Sequence, residues 1–236
     1  MRSLVALALT TALTMPPAST AVADTGPPMC GGLAATIVGT DGDDDITGTD
    51  GDDVIVGLRG ADTINGGRGA DRICGGGGAD YLEGHGGSDR LHGGAGGDFI
   101  DGGVGGCCGP GNTGDDFIAG GLGHDVLHGP DSSATGSTIH GRGGADQIFL
   151  YDGGVAYGHK GDDELSQWGG DSVLDGGQGA DVLGNAGDPG VDDVTLLGGD
   201  GPDTLTTDDT TGTTAMDGGP DIDTCSGGTS AVNCEG

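Results

Sequence analysis

A nine-residue period constrains this chain more than any other feature. Between Gly39 and Asp101 seven nonapeptides follow one another without a gap: GTDGDDDIT, GTDGDDVIV, GLRGADTIN, GGRGADRIC, GGGGADYLE, GHGGSDRLH and GGAGGDFID. Each has Gly at its first and fourth positions, Asp at the sixth and Ile or Leu at the eighth. Gly tolerates positive φ without steric cost, so the first six residues suit a tight turn. The last three suit a short strand whose middle, aliphatic side chain points inward. Two nonads then form one coil with two strands and two turns, and alternate nonads stack in parallel at about 4.8 Å. A solvated acidic linker could share this composition, but it would have no reason to keep an aliphatic residue in every ninth place.

Stacking places each sixth-position Asp above another, so a column of carboxylates runs along each edge. Such a column repels itself unless cations intervene. Ca2+ takes six to eight oxygens, which turn carbonyls and carboxylates from stacked turns can supply. The candidate metal ligands are Asp44, Asp53, Asp62, Asp71, Asp80, Asp89, Asp98, Asp116, Asp125, Asp146, Asp163, Asp181, Asp203 and Asp223. The expected cofactor is therefore Ca2+ in multiple copies.

The period extends beyond Asp101. Residues 102–110, GGVGGCCGP, have the right length but carry Cys107 for Asp and Gly109 for the aliphatic, and read as a defect kept in register. From Gly129 the spacing loosens, with extra residues at 129–131, 185–188 and 207–208 and a shortened repeat at 150–157, whose inward residue reads as Tyr157. Counted to residue 226, the register holds twenty nonads, or about ten coils. The fold expected is all-β: a parallel β-roll, a right-handed β-solenoid. Its parts are a signal peptide at 1–23, an N-terminal segment and cap at 24–38, a regular roll at 39–128, a looser continuation at 129–226 and a C-terminal cap at 227–236.

Taken alternately, the nonads give two unlike edges. One carries Asp53, Asp71, Asp89, Cys107, Asp125, Asp146, Asp163, Asp181, Asp203 and Asp223, a carboxylate column with one break. The other carries Asp44, Asp62, Asp80, Asp98 and Asp116, then Ser137, Val155, Ser172, Val194 and Thr214. The length changes fall on the edge that loses its carboxylates. Calcium is thus expected on both edges to about residue 125, and beyond it mainly beside Asp146, Asp163, Asp181 and Asp203.

Composition limits the alternatives. The chain holds 38 Asp+Glu against 7 Lys+Arg, a net charge of −31 that argues against nucleic acid or an anionic membrane as partner. Residues 1–23 read as a secretory signal peptide, with Arg2, an apolar run from Leu4 to Met15 and an Ala21-Val22-Ala23 cleavage site. That run is too short to span a bilayer comfortably, and a secreted, extracellular chain with no membrane insertion is expected. Six cysteines in an exported chain favour disulfides. Cys225 and Cys234 would face each other across the last coil, and Cys30 with Cys74 suits the other end. The pairing of the adjacent Cys107 and Cys108 stays open.

No HExxH, GxSxG or Walker loop is present, and the six histidines occupy turn or outward strand positions. A non-enzymatic protein is expected. Tyr81, Phe99 and Phe117, at the seventh position of alternate repeats, would stack on one outer sheet face. They make either a cross-strand ladder or a platform for a cell-surface or polysaccharide partner.

These nonads resemble the RTX, or haemolysin-type calcium-binding, repeat family across the mature chain. The opening CGGLAATIVGTDGDDDITGTDGDDVIVGLRGADTI and the ending GGPDIDTCSGGTSAVNCEG are similar to repeat-only secreted proteins of actinobacteria. The resemblance implies a parallel β-roll with Ca2+ in its turns. The separate active domain and C-terminal export signal of RTX toxins and proteases have no counterpart in this sequence, so haemolytic activity is not implied.

Overall fold

In a computed structural model of the chain, residues 26–102, 116–129, 136–151, 153–185, 193–207 and 213–235 are described. The fold is an all-β parallel solenoid of about 9 turns with 18-residue coils, and no helix occurs among the described residues. Strands alternate between two parallel sheets, one ten-stranded from Asp45–Thr47 to Thr224–Ser226, the other eleven-stranded from Ile37–Val38 to Ser230–Val232. Many strands run for six residues, as in Thr63–Arg68 and Arg72–Gly77, rather than the expected three. The ladder continues through the first residues of the following turn, where Gly76 pairs with Leu58 below and Gly94 above.

The core is a single file of side chains between the sheets. Ile55, Ile64, Ile73, Leu82, Leu91, Ile100, Ile118 and Leu127 are at most 1% exposed, and the file continues to Leu205 and Met216. Each belongs to the eighth position, so the period alone sets which side chains are buried. At the shortened repeat the inward residue is Ala156, paired with Ile139 and Leu174, and not Tyr157, which faces outward. The chain is one residue short there, and the smaller side chain takes the inward place.

The expected count of twenty nonads and ten coils is too high, and the reason lies at 102–110. Residues 103–115 are outside the described set, but the strands on either side are paired. Arg90–Ala95 pairs directly with Phe117–Leu122, and Phe99–Asp101 with Val126–His128. The step between stacked positions is 27 residues there instead of 18. One nonad's length is therefore bypassed rather than kept in register. A nonad with neither an inward side chain nor a carboxylate has little to hold it in the stack.

A disulfide secures the chain near each terminus. At the start, the antiparallel pair Met29–Cys30 and Leu33–Ala34 is tied by the Cys30–Cys74 disulfide, Cα–Cα 5.8 Å, to an outward position of the eleven-stranded sheet. The bridge thus pins the N-terminal segment to the side of the roll and not to its end. At the finish, Cys225–Cys234, Cα–Cα 5.6 Å, closes the tapering last coil.

The bypass predicts the outcome of a deletion. Removing residues 102–110 brings Asp89 and Asp116 to the regular 18-residue separation, with Gly111 starting the next turn. The calcium-loaded variant should keep its strand circular dichroism and melt within a few degrees of the parent. Collapse of the fold would show that this nonad belongs to the stack, since its loss would then move every later Asp to the opposite edge.

Candidate metal centre

Each sixth-position Asp is held by the coil beneath it. The amides of Asp44, Asp62, Asp80, Asp98, Asp125, Asp146, Asp163, Asp181 and Asp203 each donate to Oδ1 of the next Asp in that series, ending at Asp223, over 2.8–2.9 Å. This column is unbroken. On the opposite edge Asp53 donates to Asp71, Asp71 to Asp89 and Asp89 to Asp116, and the series then ends with the Asp116 amide on the Ser137 hydroxyl.

The expected division into one lasting and one decaying edge is present, but its membership changes at the bypass. Asp44, Asp62, Asp80 and Asp98 lead into Asp125 and continue to Asp223, and Cys107, expected as a break in the column, lies outside the described residues. Asp53, Asp71, Asp89 and Asp116 belong to the edge that fades. Later places on that edge are Ser137, Gly154, Ser172, Val194 and Thr214. Gly154, not Val155, is the sixth-position equivalent, because Val155 pairs with the following residue, Thr138. The length changes near 130, 152, 190 and 210 all lie on this fading edge, as does the long connection from 102 to 116.

Oδ2 of these aspartates is the atom the protein leaves without a partner. Oδ2 of Asp62, Asp71, Asp80, Asp89, Asp98, Asp125, Asp146, Asp163, Asp181, Asp203 and Asp223 is buried and accepts no hydrogen bond. A buried, unpaired carboxylate oxygen is costly. It lies against the first-position glycine of its own turn, beside the carbonyl of the next coil's first glycine. At Gly176, a Cβ would collide with Asp181 Oδ2 and come within 2.7 Å of the Gly198 carbonyl. At the fourth position Gly78, φ 143°, a Cβ would run into the Gly60 carbonyl below. Both turns exclude side chains in favour of closely approaching oxygens.

Asp44 and Asp53 differ. Their Oδ2 atoms accept hydrogen bonds from the Thr40 amide at 2.5 Å and hydroxyl at 3.0 Å, and from the Thr49 amide at 2.7 Å and hydroxyl at 2.8 Å. Thr at the second position thus satisfies the carboxylate locally in the first two nonads, a feature visible in the sequence but not weighed there.

Electrostatics separate the two groups. Burial, aided by neighbouring carboxylates, pushes Asp71 and Asp98 up to about 6 and Asp89, Asp146 and Asp181 up to about 7, against the opposing hydrogen bond from the amide below. For Asp53 burial pushes upward, but the Thr49 and Thr36 hydrogen bonds outweigh it and hold the group below its ordinary value.

A hard cation with oxygen ligands answers what the Oδ2 atoms lack. Among the described residues no three His, Cys, Asp or Glu side chains converge on one point. A bound ion would therefore draw on main-chain carbonyls together with Asp62, Asp71, Asp80, Asp89, Asp98, Asp125, Asp146, Asp163, Asp181, Asp203 and Asp223. His140 and His159 lie within 2.8 Å, ring nitrogen to ring nitrogen, but only as a pair.

The family described as the RTX calcium-binding nonapeptide repeat (4 copies) matches residues 38–73, 75–106 and 110–129. Over these segments the chain is similar to that repeat family, with 4 matched copies between residues 38 and 129. Comparison with curated proteins gives no match. Beyond 129, the same hydrogen-bonded column continues through Asp146, Asp163, Asp181, Asp203 and Asp223.

The aromatic ladder also differs from expectation. Tyr81 stacks on Phe99, centroids 4.9 Å apart, but Phe117 lies on the other sheet beside His140. The row continues instead through His128 and Phe149 to Trp168, with steps of 5.0, 5.0 and 5.6 Å. The change of parity at the bypass explains both facts.

The raised carboxylates set the direction of a pH effect. A folded-state value above the ordinary 3.8 means that the folded form binds protons more tightly than the unfolded one, so it destabilises the ion-free fold above about pH 7 and this penalty fades as pH falls through 7 toward 4. In excess chelator, strand circular dichroism should therefore be greater at pH 5 than at pH 7.5. With calcium the order should reverse, because protons and the ion compete for the same oxygens. A chelated chain that loses structure steadily from pH 7.5 to 5 would contradict this assignment.

Proposed function

We propose that the chain is a secreted, non-enzymatic protein that binds several Ca2+ ions in its turns and depends on them to fold. The column of buried Oδ2 atoms without partners is the observation that carries this reading. Its support is the match to a calcium-binding repeat family, the all-oxygen donors and a net charge of −31. Residues 1–23 lie outside the described set, and export rests on their sequence. Outside the cell, sites of about 10⁻⁴–10⁻³ M would fill, whereas cytosolic calcium would leave the chain unfolded until export.

Titration of the chelated mature chain with calcium, followed by circular dichroism, tests this directly. Strand signal should appear cooperatively in that range, and a spectrum indifferent to chelator would refute the reading. Asp146→Asn and Asp181→Asn should each raise the calcium midpoint by several-fold. Asp44→Asn should shift it little, because Thr40 already occupies that oxygen.

A second reading has its own observation. Tyr81, Phe99, His128, Phe149 and Trp168 form a continuous row on the ten-stranded sheet, with Tyr81 38% and Trp168 40% exposed. Exposed aromatic rows suit contact surfaces, and here the occupant would be a polysaccharide chain laid across the coils. Binding of cell-wall polysaccharide to the calcium-loaded protein, abolished by Trp168→Ala, would favour it. Binding that survives that change would remove it.

A further inference from the structure

The opposite sheet carries a feature that calcium binding does not use. Seven cationic residues occur in a chain of net charge −31, and three of them line one cavity of about 170 Å³ on the outer face of the eleven-stranded sheet. Arg72 and Arg90 are direct cross-strand partners, and Phe117 follows Arg90 in the next strand. Arg142 closes the cavity from the coil beyond, with His92 and Ala119 also in its wall.

These arginines are not spent on the fold. Arg59 and Arg68 pair with Asp41 and Asp50, but among the described residues Arg72, Arg90 and Arg142 enter no ion pair. Arg72 reaches only the Gly31 carbonyl, at 3.5 Å. Like charges directly opposite on neighbouring strands are destabilising, and the same register place elsewhere holds Val54, Thr138, Val155 and Val173, so no rule of the repeat demands Arg. Nor do they neutralise the carboxylate column, since Asp71 and Asp89 are influenced by other aspartates and not by Arg72 or Arg90.

Arg142 has a φ of 84° in a column where Leu58 (φ 85°), Gly76, Gly94 and Gly121 precede it and His159 (φ 77°) follows, so the register of the repeat sets this backbone and the side chain is free to be chosen for what it faces. His140 nearby is held below its ordinary value first by burial and then by His159 and Arg142.

We propose that this cavity binds a small organic oxyanion, a carboxylate or phosphate monoester on a flat apolar body. The Arg72 and Arg90 guanidiniums would take its oxygens in forked hydrogen bonds. The Phe117 ring, 37% exposed, would cover its apolar face, with Arg142 completing the charge.

The test uses the calcium-loaded mature chain and isothermal titration with benzoate, phenyl phosphate and neutral benzamide. Both anions should bind saturably, and benzamide at least about tenfold more weakly, as expected on losing charge-assisted hydrogen bonds. Arg90→Gln should weaken the anions about tenfold or more, whereas the control Arg59→Gln should leave them unchanged. Arg72→Lys keeps the charge but not the fork, so it should weaken binding less than Arg90→Gln and guards against a folding defect. A preference for benzoate or for phenyl phosphate then identifies the anionic group. Equal binding of benzamide, no saturable binding of either anion at millimolar concentration, or anion affinity unchanged in calcium-folded Arg90→Gln would overturn the proposal. Circular dichroism of each variant with calcium separates such a failure from a failure of the calcium reading.

Discussion

Carboxylate stacked on carboxylate at strand spacing is the interaction on which this structure depends. The backbone handles half of it: above the first coil, one oxygen of each Asp accepts the amide of the Asp beneath, which locks coil to coil. In eleven of them, Asp62 and Asp181 among them, the other oxygen is buried beside a carbonyl and gets no donor. Two acceptors facing each other in a dry turn repel, and among the described residues no lysine or arginine pairs with these carboxylates. The first-position glycine, the tight turn and the fixed nine-residue length all bring those oxygens together. A turn that concentrates unpaired oxygens in this way suits a hard cation among them.

Much of this was legible because the period fixes two things at once. Any residue eight places into a nonad is inward, and any residue six places in joins a column, so Ile64, Leu91, Asp80 and Asp181 could be assigned without knowing how the coils lie. Parity was less secure. The column to which Asp125 belongs depends on whether 102–110 contributes a strand, and length alone cannot decide that. The physical signal was present: with Gly109 in the inward place and Cys107 in the acidic one, that nonad offers neither core nor carboxylate to pay for its ordering. The same error had placed Phe117 on the Tyr81–Phe99 row, whereas it lies on the other sheet. Tyr157 was misplaced for a related reason, because a repeat one residue short lets the strand slip and puts Ala156 inward.

The turns and the sheet faces answer to different constraints. Turn positions are fixed by oxygen geometry and tolerate few side chains, as the collision of any Cβ on Gly176 illustrates. Outward strand positions touch one another and not the core, so they are freer to vary. The chain has used this freedom unevenly. Aromatic rings run along the ten-stranded sheet from Tyr81 to Trp168, while Arg72, Arg90 and Arg142 gather on the other. In a solenoid a ligand surface can change without disturbing the core, because each repeat meets only its neighbouring repeats and outward side chains stay out of the inward file.

The unequal edges follow from the same economy. Every coil passes through both edges, so a clamp on one edge fixes the position of the whole coil along the stack. Once the column from Asp125 to Asp223 is held, the opposite turns need only return the chain to the next strand, and their length is no longer constrained. Ser137 shows the transition: its hydroxyl still accepts the Asp116 amide, so the inter-coil hydrogen bond survives, but the second oxygen that would face a cation is gone. Beyond it, Gly154 and Val194 retain neither. The extra residues entered where the carboxylates had been lost, while nine consecutive links of the other column kept their 2.8–2.9 Å geometry. Apart from the long connection that ends at Asp116, this edge varies in length only where it no longer has to aim two oxygens at the same point.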